Sequence, residues 1–170
     1  AKINFTDVVV DPNMIIASGE SGEKIVAAAQ KAYFGFTAAM AMGASRSAFL
    51  KAFAYAKERY QFGKYIIHHE EIQRMLGCMQ MKLDMGTAGY LQVFNDDTVS
   101  LPVFSSDSML AKVYCTDAAL EIVQDAIQIH GGYGYMHEYG LEKIMRDVKI
   151  LQLMGGRNPL LQIQSIAQGL

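Results

Sequence analysis

The chain has 170 residues, of which 51% are apolar, enough to bury the core of one domain. Fifteen Lys and Arg residues against seventeen Asp and Glu residues give a formal net charge of −2, without a block of like charges. This balance argues against nucleic acid and against an anionic membrane surface as partners. No uninterrupted apolar stretch has the length of a transmembrane helix, so we expect no membrane span.

One short strand is predicted at the N-terminus. Residues 3–10 are rich in β-branched and aromatic side chains and end at the turn formers Asp11-Pro12-Asn13. A lone strand cannot satisfy its own backbone groups, so we expect it to pair with a sheet from another domain or chain. Residues 18–23 are expected to form a polar linker in which Ser21 caps the first helix. We therefore divide the chain into residues 1–20, the strand and linker from a preceding β-domain, and residues 21–170, a helical domain.

Helical segments fill the rest of the chain. Apolar residues recur at steps of three and four over residues 23–60, 70–94, 105–130 and 138–153, and a last helix is predicted after Pro159. Ser105 or Ser106 is expected to cap the third helix, and Gly131-Gly132 to end it. Long helices joined by short connections favour an all-α fold, a four-helix up-and-down bundle with the short strand at its N-terminus.

Neither a disulfide nor a metal site is predicted. Cys78 and Cys115 lie in helical segments without C-x-x-C spacing, which favours thiols in a reducing compartment, and we expect a cytoplasmic location. His68-His69-Glu70-Glu71 contains ligand-type side chains, but neighbours on a helix diverge by about 100° and no third His or Cys follows at helical spacing.

Three further segments contain residues that are able to bind ligands. Residues 131–135, Gly-Gly-Tyr-Gly-Tyr, form either a simple helix end or a backbone that a phosphate approaches closely. Residues 58–64 place two cations near a helix end, where they complement the helix dipole. Arg146-Asp147 are most simply part of a helix-surface ion-pair network. By themselves these residues predict only a helical bundle.

Taken in order, the segments resemble the C-terminal helical domain of the acyl-CoA dehydrogenase family. Residues 54–64, AYAKERYQFGK, resemble its first signature, and residues 126–135 with Arg146-Asp147 resemble its second. Residues 5–10, FTDVVV, are similar to the final strand of its middle β-domain. The resemblance implies an oxidoreductase flavoprotein of fatty acid metabolism that acts on the CH–CH bond of acyl-CoA thioesters.

The resemblance also implies an FAD site shared between subunits. The family's two signatures reach the adenosine diphosphate part of FAD held mainly by a neighbouring subunit, so this chain alone is not expected to retain the cofactor. Guanidinium groups match pyrophosphate geometry, and glycine admits close backbone approach. A homo- or hetero-oligomer, a dimer or a tetramer, follows from such sharing. The cofactor contacts implied in this chain are Arg59, Phe62, Gln128, Gly131 and Gly132.

The catalytic base of the family is missing from the expected positions. Family members abstract the substrate's α-proton with a glutamate just after the helix that carries Arg-Asp, where this chain has Gly155. Other members carry the glutamate on the first helix, at the position of Tyr33, and a tyrosine is a poor base at neutral pH. No catalytic residue is therefore assigned. If only the base is missing, a Gly155→Glu variant should gain acyl-CoA-dependent flavin bleaching.

Three functions are compatible with these residues. The first is part of an acyl-CoA dehydrogenase-like enzyme, with chemistry altered by the loss of the base. The second is a non-catalytic subunit of a mixed oligomer, which supplies the adenosine side of a FAD site completed by a base-bearing homologue. The third is a structural bundle that has lost FAD, and the presence of Arg59, Gln128 and the glycine pair argues against it.

Overall fold

The computed structural model describes residues 3–94 and 108–167. These ranges contain helices α1 (Gly19–Glu58), α2 (Glu70–Phe94), α3 (Ser108–His130), α4 (Leu141–Leu151) and α5 (Asn158–Ala167). Strands β1 (Tyr60–Gln61) and β2 (Lys64–Tyr65) form a hairpin with a two-residue turn. The 3-10 helices span Pro12–Met14, Ile66–His68 and Gly131–Tyr135. The predicted all-α bundle is confirmed.

The N-terminal segment differs from the prediction. Residues 3–10 form no strand, and their apolar side chains are exposed, Val9 to 95%. A strand requires backbone partners, and no described residue pairs with this segment. The linker prediction is wrong as well, because α1 already begins at Gly19 and Ser21 lies inside it. The short hairpin at residues 60–65 was not predicted.

The chain separates into two compact units, of which the first ends at Gln30 and the second begins at Lys31. This division falls within α1 and separates compact units. The boundary predicted between residues 20 and 21 is of another kind, because it assigns residues 1–20 to a preceding β-domain. That boundary stays a prediction. In the described ranges, no helix combines the length and apolar character needed to cross a membrane.

The core of the second unit is built on close helix packing. On α1 the fully buried positions are five alanines and Ser45, small residues that recur at helical spacing and let neighbouring helices approach its backbone. Larger side chains from the other helices fill the space between. Helix α3 packs against α2, α4, α5 and the 3-10 helix after it, so it is buried on several faces. Fully buried members of the core are Ala38, Ala41, Ala48, Ala52, Ala56, Met79, Cys115, Ala119, Ile122, Val123, Ala126, Leu141 and Val148.

The helix ends largely follow the sequence. Gly131 adopts a φ of +59° directly after α3, as expected for a glycine at a helix terminus, although the chain continues into a 3-10 helix. Pro159 lies in the first turn of α5, as predicted. The predicted caps Ser105 and Ser106 lie outside the described residues.

We expect Ile122→Ala to lower the free energy of unfolding by about 2–5 kcal/mol, because Ile122 is fully buried and its truncation leaves a cavity. The matched control Ile163→Ala, at a position that is 67% exposed, should change it by less than about 0.5 kcal/mol. Urea unfolding of both variants measures the difference, and equal losses would contradict the assignment of Ile122 to the core.

Candidate functional site

A cavity of about 570 Å³ lies where the end of α1, the hairpin and the end of α3 meet. Two stretches of sequence that are far apart along the chain form its walls, and aromatic and apolar side chains make up much of the lining. All five cofactor contacts expected from the sequence line this one cavity. They are Arg59, Phe62, Gln128, Gly131 and Gly132.

The hairpin positions the first two of these residues. The backbone of Arg59 donates to the carbonyl of Tyr55 and accepts from Ile66 N–H at 2.9 and 2.8 Å, so Arg59 is anchored where α1 ends. At the tip, Phe62 has a φ of +52° and Gly63 a φ of +82°. The left-handed region costs a side chain such as Phe62 about 1–2 kcal/mol. This conformation leaves the Phe62 side chain 93% exposed.

An aromatic wall closes one side of the cavity, and sequence reasoning had assigned it no role. Tyr55 stacks on His130 with ring centroids 4.3 Å apart, and Tyr139 packs edge-on against Tyr55 at 5.9 Å. The Arg59 guanidinium lies 5.7 Å from the centroid of Tyr133. These residues fall within or beside the two signatures, but only the fold brings their rings together.

Burial determines the charge of this wall. His130 Nδ1 lies 2.8 Å from the Ala126 carbonyl and donates to it, which leaves Nε2 as the acceptor of the neutral ring. Burial lowers the pKa of His130, a change that the bond to Ala126 partly opposes. Burial also raises the pKa of Tyr55, against the influence of Arg59. Both rings are therefore uncharged at neutral pH, and Arg59 supplies the positive charge of the wall.

The glycines of residues 131–135 have different roles. A Cβ atom added at Gly134 would lie 2.6 Å from the carbonyl oxygen of Ile127, so this glycine is required by packing. Gly131 is required by its positive φ. A Cβ at Gly132 would meet no atom within 4 Å, and Gly132 lines the cavity. The absence of a side chain there keeps the backbone accessible to a ligand.

The two positions at which the resemblance places a catalytic base are in contact. Gly155 has a φ of +68°, and a Cβ built on it would lie 2.3 Å from Cε1 of Tyr33 and 3.2 Å from Cε1 of Phe34. The Tyr33 ring thus occupies the space into which a side chain at residue 155 would extend. A glutamate side chain at residue 155 would therefore need the Tyr33 ring to move, so Gly155 is not the only obstacle to a base there.

The remaining candidate segments have structural roles. No group of three or more potential metal ligands occurs within the described ranges, and His69 Nε2 lies 3.3 Å from the Gln61 carbonyl. Arg146 approaches Glu142 at 3.5 Å and Lys143 pairs with Asp147, so the predicted ion-pair network is confirmed. Cys78 and Cys115 are free thiols, and burial raises the pKa of Cys115 to about 12.

A family model described as "Acyl-CoA dehydrogenase, C-terminal domain" matches residues 35–170. The chain belongs to the acyl-CoA dehydrogenase family. Its similarity to that family therefore extends over both signatures, the cavity between them and the segment that carries Gly155.

Individual members of the family agree with this assignment. A "Probable acyl-CoA dehydrogenase" of Bacillus subtilis is 37% identical over 123 residues, which is 72% of this chain and 32% of that protein. The butyryl-CoA dehydrogenase structure from Megasphaera elsdenii aligns with a TM-score of 0.82 at 30% identity, over 94% of this chain and 41% of the other. A nitroalkane oxidase structure with spermine, a competitive inhibitor, aligns with a TM-score of 0.78 at 25% identity, over 88% and 36%. The chain spans about a third of the length of the curated dehydrogenases it matches.

The buried His130 makes stability depend on pH. The pKa of His130 is lowered in the folded state, so below the unfolded value of about 6.5 the unfolded chain binds more protons. The free energy of unfolding should therefore fall as the pH drops from about 7 towards the folded pKa. His130→Gln keeps a donor for Ala126 but cannot titrate, so urea unfolding between pH 7 and 5 should show a smaller decrease. His68→Gln controls for the substitution itself, and an unchanged decrease in His130→Gln would contradict the assignment.

Proposed function

We propose that this chain is the FAD-contacting and oligomerising domain of an acyl-CoA dehydrogenase-like flavoprotein in which Gly155 replaces the usual catalytic glutamate. The single observation that carries the proposal is the cavity, which gathers Arg59, Gln128 and the Gly131-Gly132 backbone at one place. The complete protein would be an oxidoreductase acting on the CH–CH bond of acyl-CoA thioesters.

The residues of the cavity fit the adenosine diphosphate part of FAD. Arg59 offers a planar set of donors for a pyrophosphate, and the aromatic Tyr133 ring behind it restricts its orientation. The Gln128 side chain is exposed, so its amide is able to pair with a ribose hydroxyl or an adenine edge. Gly132 leaves room for close approach. When bound, FAD would supply a two-electron acceptor for a hydride. The rest of the cofactor would be held by other domains or subunits.

Exposed apolar side chains support an oligomer. Phe36, Met40 and Leu50 recur at helical spacing on one face of α1 and are 61%, 59% and 55% exposed. Burial of such a face stabilises a subunit contact through the hydrophobic effect. We therefore infer a homo- or hetero-oligomer, and the free thiols Cys78 and Cys115 support a reducing compartment such as the cytoplasm.

The contact between Tyr33 and Gly155 favours a second candidate function. In a non-catalytic subunit of a mixed oligomer no proton acceptor is needed at either position, and a ring can fill the space between them. In an enzyme with altered chemistry, residue 155 would take no part in abstracting the α-proton, because the Tyr33 ring occupies the space that a glutamate side chain there would need. Purification of the complete protein distinguishes the two candidate functions, because a non-catalytic subunit would be isolated together with a base-bearing homologue.

The first test concerns the cofactor contact of Arg59. In the complete protein, Arg59→Met should weaken FAD binding by about 10- to 100-fold, since it removes a charge-assisted hydrogen bond. Lys57→Met, which removes an exposed cation near the same end of α1, should leave FAD affinity unchanged. Titration of the apoprotein with FAD measures both. Equal affinities in wild type and Arg59→Met would contradict the proposed cofactor site.

The second test concerns the base. Tyr33→Glu replaces the obstructing ring by a carboxylate at a position that bears the base in some family members, whereas Gly155→Glu meets the Tyr33 ring and a positive φ. In the flavin-loaded protein we expect acyl-CoA-dependent bleaching of the flavin to rise in Tyr33→Glu and to stay at the wild-type level in Gly155→Glu. Tyr33→Gln, which cannot accept the proton, is the control. A wild type that already bleaches as fast as Tyr33→Glu would contradict the loss of the base.

A further inference from the structure

Lys112 on α3 is a lysine without solvent contact. Its exposure is 0%, and it is the largest fully buried side chain among the described residues. Its Nζ donates to the Gln152 carbonyl at 3.2 Å, the Gly156 carbonyl at 2.9 Å and Asn158 Oδ1 at 2.8 Å. An ammonium group has three hydrogens, so every donor has an acceptor. Gln152 and Gly156 belong to the connection between α4 and α5, and Asn158 is the first residue of α5.

Two of the three acceptor residues, Gln152 and Asn158, also form side-chain hydrogen bonds with α3. Asn158 Nδ2 donates to Asp117 Oδ1 at 2.6 Å and to Thr116 Oγ1 at 2.8 Å. Gln152 Nε2 donates to the same Asp117 oxygen at 2.6 Å. The charge of Lys112 is therefore partly offset by Asp117 through two amides, and the end of α4 adds the negative end of its dipole. Burial lowers the pKa of Lys112, and Asp117 opposes this change.

The connection has a few local backbone hydrogen bonds, such as Gly156 N–H to the Leu153 carbonyl at 3.4 Å and Asn158 N–H to the Gln152 carbonyl at 3.2 Å. Gly155 and Gly156 have φ values of +68° and +135°, and two adjacent glycines have the widest choice of backbone conformations. A Cβ at Gly156 would lie 2.9 Å from Leu161, so its position is constrained from the α5 side. The long-range bond from Lys112 to the Gly156 carbonyl constrains it from the α3 side.

We propose that Lys112 is a positioning residue, which holds the Gly155-Gly156 backbone against Tyr33 and so determines the wall that faces the reacting part of the bound ligand. Its ammonium donates to Gln152, Gly156 and Asn158, and it acts on Gly155 through the Gly156 carbonyl. The identity of that wall as part of the flavin and acyl-CoA site rests on the proposed function. The clamp itself rests on the hydrogen bonds alone.

Hydrogen exchange in the complete protein tests the clamp. Lys112→Met keeps the length of the side chain and removes the charge and the donors. Amides of residues 153–158 should then exchange at least about tenfold faster, because a hydrogen bond to a charged group is lost. Amides of α2 should be unaffected. Lys82→Met, which breaks the 2.8 Å ion pair of a partly buried lysine with Glu121, is the matched control and should leave residues 153–158 unchanged. Unchanged exchange in Lys112→Met, or an equal rise throughout the chain, would overturn the proposal.

The visible circular dichroism of the bound flavin tests the effect on the site. At equal FAD occupancy, Lys112→Met should change this spectrum and its response to acyl-CoA, and Lys82→Met should change neither. Faster exchange with both spectral readouts unchanged would overturn the positioning role and leave a purely structural clamp. A wild-type protein that binds no FAD would refute the proposed function, and hydrogen exchange would then decide the clamp by itself.

Discussion

The burial of α3 on several faces is the constraint on which the rest of this domain depends. It packs against α2, α4 and α5, so most of its buried positions are small or β-branched residues, and its buried polar side chains must find partners inside the protein. Thr116 returns its hydroxyl to the carbonyl of Lys112 one turn earlier, and Cys115 donates to the Gly86 carbonyl on α2. The position of α3 therefore determines where the segments at its two ends lie.

Both regions of interest are attached to this helix. At its C-terminus, His130 packs in the aromatic wall and Gly131 turns the chain along the cavity, so Arg59 from α1 meets Gln128 and Gly132 there. Nearer its N-terminus, Lys112 ties down the connection that carries Gly155. The cavity and the segment that carries Gly155 are therefore attached to opposite ends of α3.

Tyr33 and Gly155, the two positions at which the resemblance places a catalytic base, are in contact. A glutamate at residue 155 would need both a side chain in occupied space and a backbone φ that favours glycine. The Tyr33 ring in its present position therefore requires a residue without a side chain at position 155. In fold the chain is similar to a nitroalkane oxidase as well as to acyl-CoA dehydrogenases, and fold alone does not determine function.

Periodicity in the sequence was sufficient for the helices, because amphipathic spacing and terminal glycine or proline act over a few residues. The limits of α2 and the end of α3 at His130 follow it closely. The order of two signatures also led to the five predicted cofactor contacts, which line one cavity in the structure. The strand predicted at residues 3–10 did not form, because strand formation depends on a partner that no local pattern supplies. The aromatic wall, the clamp of Lys112 on residues 152–158 and the contact of Tyr33 with Gly155 were decided only by tertiary structure. Each joins residues far apart along the chain, and the distance between their atoms is determined by how the helices pack.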